Sequence, residues 1–92
     1  MKNIRVISSA DVLEMNRKIC LAEGNPHHCF SIDKIESALH STYYPGEHPF
    51  IHGGIAKVAG AMAFYVTNAH AFQDGNKRTA LVASSAFMLF NG

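Results

Sequence analysis

Apolar positions recur at helical spacing along most of this chain. Val12, Met15, Ile19 and Ala22 mark a first stripe, with Leu13 and Cys20 alongside. Ser8-Ser9-Ala10-Asp11 reads as the start of that helix, and Gly24-Asn25-Pro26 as its stop. His27–Phe30 reads as a loop. Ser31 predicts the next N-cap, with Asp33 and Glu36 in the first turns, where the helix dipole favours negative charge. Ile32, Ile35 and Leu39 give this second helix its stripe, and Tyr43-Tyr44-Pro45-Gly46 ends it. Glu47–Gly54 contains Pro49 and the Gly53-Gly54 pair, and reads as a small hairpin or an irregular surface crossing. Ile55 through Ala69 predicts a third helix. Ile55, Ala59, Met62 and Val66 lie on one face and Val58, Ala61 and Tyr65 on another, so it is expected to be the central, most buried helix. Asn76 to Phe90 predicts a last helix, apolar on nearly every face, before an Asn91-Gly92 stop signal.

The pattern therefore predicts an all-α fold, a single domain over 1–92 built around an antiparallel helix pair joined by the His70–Gly75 loop. No run of alternating residues is long enough to predict a strand. Apolar residues are 48% of the chain, enough for a real core. The net charge of +1 gives no nucleic-acid footprint, so no direct nucleic-acid partner is expected. The uncharged stretches are shorter than a membrane span and no signal peptide is visible, which predicts a cytoplasmic protein with no membrane partner. Cys20 and Cys29 could form one disulfide, but a cytosolic chain normally keeps both reduced, so they read as ordinary thiols; with His27 and His28 they follow no zinc spacing. His48 and His52 have helical metal spacing, but Pro49 argues against a helix there. From Thr79 to Gly92 no side chain is charged. A helix so apolar predicts a cover, either a further C-terminal segment or another chain, which also allows a homo-oligomer.

The chemistry concentrates in His70-Ala-Phe-Gln-Asp-Gly-Asn-Lys-Arg-Thr-Ala80. His70 can take a proton near neutral pH. Asp74 can hold a hard cation such as Mg²⁺, or make an Asx-turn. Gly75 lets backbone N–H groups approach an anion. Asn76 reads as a residue that binds phosphate or shapes the loop, or equally as a plain N-cap. Lys77 and Arg78 fall in a helix's first turn, where cations oppose the dipole unless an anion is there to meet them. Phe72 reads as core, and Thr79 as a phosphate contact or a structural hydroxyl.

This run resembles the signature of the Fic/Doc (Fido) superfamily, and its Asn-Lys-Arg-Thr-Ala ending resembles the Doc branch, the death-on-curing toxins of toxin–antitoxin modules. The resemblance implies a transferase acting on a protein hydroxyl, with ATP as donor and Mg²⁺ as cofactor. Fic proteins typically transfer AMP. Doc-type toxins transfer the γ-phosphate of ATP to a threonine of elongation factor Tu. Lys77 stands where Fic members usually have glycine, and Leu81 where they have a second arginine, so this chain sides with Doc at both positions. His70 is then implied as catalytic base, Asp74 as metal ligand, and Gly75, Asn76, Lys77 and Arg78 as phosphate ligands. A Doc protein would continue past Gly92, which makes the chain look short of its last helices. An AMP transferase, or a non-catalytic fragment that binds anions or a partner, are the alternatives. The family's flap, which aligns the target as an added strand, would fall at 44–52. Its autoinhibitory motif is not met: Glu23-Gly24 is the nearest candidate, but Ile19 stands where a hydroxyl should be. Control by a separate antitoxin is the resulting expectation.

Overall fold

The computed structural model describes residues 4–44 and 54–92. They form α1 (Ser9–Glu23), α2 (Ile32–Tyr43), α3 (Ile55–Ala69) and α4 (Asn76–Asn91), and no strand occurs among them. The 47–53 segment lies outside the described residues, and with it the hairpin, His48, His52 and most of the expected flap.

Local chemistry accounts for the helix boundaries. Ser8 and Asp11 close a capping box on α1: Asp11 N–H donates to Ser8 Oγ at 3.1 Å, and Ser8 N–H to Asp11 Oδ2 at 2.9 Å. Gly24 ends α1 in the left-handed region, φ 71°, and its N–H reaches back to Cys20 and Leu21 carbonyls. Ser31 does precede α2, but its hydroxyl makes no capping bond. α3 and α4 begin after Gly54 and Gly75, again without side-chain caps.

α3 lies between α2 and α4 and packs on both, while α1 rests mainly on α4. The short 70–75 connection turns the chain back, so α4 runs against α3. One apolar core gathers residues from all four helices, with Phe72 and Phe87 its largest fully buried side chains. At the end away from the 70–75 loop, the buried Tyr43 hydroxyl accepts from Ile7 N–H at 2.7 Å and donates to Ile7 C=O at 3.1 Å. Burial pushes this phenol up to about 12.

α3 is central but not the most buried helix. It buries four residues, whereas α2 and α4 bury five each, and Phe64 on α3 is exposed. Ala56, Lys57, Gly60, Phe64 and Asn68 are exposed on its outer face, because α2 and α4 flank α3 and no other described helix packs on it. The apolar face of α4 is uncovered among the described residues: Leu81, Val82, Met88, Leu89 and Phe90 are exposed, Leu89 at 82%. None of the described helices is long and apolar enough to cross a membrane.

Candidate functional site

α3 ends at His70, which adopts φ 49°, ψ 43°. This is a left-handed conformation that a β-carbon disfavours. Ala71 and Phe72 then turn inward and are buried. Phe72 makes an isolated antiparallel bridge with Cys29: Phe30 N–H donates to Ala71 C=O at 2.8 Å, and Gln73 N–H to His28 C=O at 2.9 Å. The 27–30 loop is thus laced to the 70–75 loop.

The Asn76 side chain closes the turn. Its Oδ1 accepts from Phe72 N–H at 3.0 Å and its Nδ2 donates to Phe72 C=O at 2.8 Å. Asn76 is therefore not the N-cap, which is Gly75: its side chain shapes the loop, and its backbone N–H stands at the head of α4. Asp74 Oδ1 accepts from the N–H of the next residue, Gly75, at 2.9 Å, a one-residue contact rather than the two-residue bond of an Asx-turn. Gly75 sits at φ 77°, and its carbonyl takes the first bond of α4, from Thr79 N–H at 2.8 Å. The Thr79 hydroxyl is fully buried and accepts from Asn16, so it is structural.

Asp74, Gly75, Asn76, Lys77 and Arg78 line one polar cleft of ≈ 470 Å³ together with Glu23, Asn25 and Gln73. That is ample for a nucleotide's phosphates. His70 is exposed and stands at the other end of the loop, outside the lining of this cleft. Lys77 is exposed and makes no ion pair among the described residues, whereas Arg78 is bridged to Glu23. Glu23 therefore reaches the site although Ile19 holds the position where the inhibitory pattern requires a hydroxyl.

No cluster of three or more His, Cys, Asp or Glu among the described residues could hold a metal unaided. A single loop carboxylate nevertheless suits Mg²⁺, which is commonly bound by one or two carboxylates plus substrate phosphates. Asp74 offers that carboxylate at the cleft wall. The Cys20 thiol is pushed up by burial and, secondarily, by the negative charge of Asp74.

Sequence reading missed Asn16. It lies on α1 between Val12 and Cys20, at four-residue spacing, and all three are buried. A polar residue in the register of a buried stripe was the available signal. Its Nδ2 donates to Asp74 C=O at 2.9 Å and to Thr79 Oγ1 at 3.0 Å.

A family model described as Fic/DOC family matches residues 6–88. The chain belongs to the Fic/Doc family. The match runs from the segment before α1 into the last turns of α4, so it takes in the loop and the cleft together. Fic/Doc proteins are typically transferases, and generally use ATP and Mg²⁺. No curated protein and no solved structure gives a significant match.

Proposed function

We propose that this Fic/Doc chain is a Doc-type toxin that transfers the γ-phosphoryl group of ATP to a protein hydroxyl, with a threonine of elongation factor Tu as the expected acceptor. The observation that carries this is the cleft that joins the Asp74 carboxylate to the first turn of α4, where Lys77 and Arg78 stand against the helix dipole. A triphosphate resolves that conflict, because its charge meets both the cations and the free N–H groups of the helix start. Mg²⁺, when bound, would neutralise phosphate charge beside Asp74. Gly75 and the backbone of Asn76 would border the phosphates, with Lys77 and Arg78 outside them. Arg78 exchanges Glu23 for phosphate on binding.

His70 is the proposed base. Its imidazole takes the proton of the acceptor hydroxyl as that oxygen bonds to the γ-phosphorus. The bond from this phosphorus to the β,γ-bridging oxygen breaks, and ADP leaves. The exposed position of His70 supports this role, since a protein substrate must approach from solvent. The uncovered face of α4 supports a partner chain, and a cognate antitoxin in the cytoplasm is the expected one.

The test is incubation with Mg²⁺ and either γ- or α-labelled ATP in a bacterial lysate. Label from the γ position on a translation factor, lost in His70→Ala, is expected. Label from the α position makes the chain an AMP transferase. No protein-bound label from either, together with harmless expression, overturns transfer altogether.

A further inference from the structure

Asn16 is fully buried, and its side chain makes contacts on four sides. Its Nδ2 donates to Asp74 C=O and Thr79 Oγ1, while its Oδ1 meets His27 Nδ1 at 2.8 Å and the Cys20 thiol at 3.6 Å. One amide thus joins α1, the 27–30 loop, the 70–75 loop and the first turn of α4. Its orientation is determined. A flipped amide would set oxygen against the Asp74 carbonyl, which has no proton to give. His27 Nδ1 therefore donates to Asn16 Oδ1, and the tautomer follows from the network.

Packing alone does not call for this residue. Leucine would fill the 12–16–20 stripe of α1 without the desolvation cost of an amide. The amide also presses on the turn: a β-carbon at Gly75 would stand 3.2 Å from Asn16 Nδ2. The carbonyl it holds belongs to Asp74, which lines the cleft, and the hydroxyl it holds is on the turn that carries Lys77 and Arg78.

We propose that Asn16 is a positioning residue for the phosphate turn, and that His27 locks its amide in the working orientation. Asn16 fixes the backbone of Asp74 and Gly75 relative to the start of α4, so the carboxylate and the helix N–H groups are aimed before ligand arrives. The consequence for transfer rests on the phosphoryl-transfer reading. The positioning itself is readable in the free protein.

The experiment compares amide ¹H–¹⁵N spectra and Mg·ATP saturation for wild type, Asn16→Asp, His27→Ala and His27→Asn. Asn16→Asp puts an oxygen against the Asp74 carbonyl. It is expected to move the Gly75 and Thr79 amide peaks, leave those of Ile7 and Tyr43 in place, and raise the half-saturating Mg·ATP concentration about 10–100-fold, as for other groups that orient ligands. His27 is exposed, so His27→Ala is expected to fold, and to move the same peaks less. His27→Asn returns an N–H to the place of Nδ1 and restores them. Unmoved Gly75 and Thr79 peaks in both Asn16→Asp and His27→Ala overturn the proposal, as does unchanged saturation in an active enzyme. If wild type neither binds Mg·ATP nor transfers phosphate, the phosphoryl-transfer reading falls and the amide peaks alone decide the positioning role.

Discussion

Gly24 and Gly75 sit at nearly the same backbone angles, φ 71° and 77°, each at a helix end. Their surroundings differ. A β-carbon at Gly24 would meet nothing within 4 Å. At Gly75 it would meet Asn16 Nδ2 at 3.2 Å, with Ile19 and Thr79 side chains at 3.7 Å behind it. Asn16 cannot swing away cheaply, because its Nδ2 holds two hydrogen bonds. The first glycine answers a backbone requirement alone. The second answers that requirement and a steric one, imposed by the residue that ties the turn to α1. Two identical signals in sequence thus mark a plain helix stop and a built site.

Gly75→Ala combines a left-handed β-carbon with overpacking, so a loss of about 2–4 kcal/mol in urea unfolding is expected. Adding Asn16→Ala relieves part of the clash, and the pair should cost less than the sum of its members.

An alkaline titration sharpens the contrast at the opposite end of α4, where Tyr43 packs on Phe87 with ring centroids 5.9 Å apart. The unfolded phenol ionises near 10, but the folded one is raised to about 12. Stability from this group is full below pH 10 and is lost as pH rises towards 12, by about 2–3 kcal/mol in all. Tyr43→Phe should abolish that limb of the pH profile.

Gly24→Ala should cost about 1 kcal/mol, the backbone effect offset by reduced unfolded-state freedom. A cost equal to that at Gly75 would break the comparison. Smallest is Glu23→Gln, beside Gly24. The Glu23–Arg78 bridge is partly exposed, so stability should change by less than about 1 kcal/mol. Affinity for Mg·ATP, measured by calorimetry, should rise about threefold as Arg78 is released.

The helices were legible because their ends carry local chemistry: Ser8 with Asp11, Gly24, and the turn at Gly75. The polar cleft was legible for the same reason, since Asp74 to Arg78 are neighbours in sequence. What was not legible depends on tertiary placement. Asn16 meets Asp74 across 58 positions. Glu23 meets Arg78 only because α1 lies along α4. The Cys29–Phe72 bridge joins two short irregular segments with no strand pattern. The burial of α3 was overread because a run of apolar residues does not reveal how many neighbours the chain can supply.

Among the described residues His70 is the only non-glycine with positive φ. A search that rewards folding alone would discard it, since glycine relaxes the backbone there. His70→Gly is expected to raise the melting temperature by a few degrees, on the order of 1 kcal/mol, while removing the imidazole. On the proposed role of His70 as base, selection for robustness and selection for activity pull this position in opposite directions.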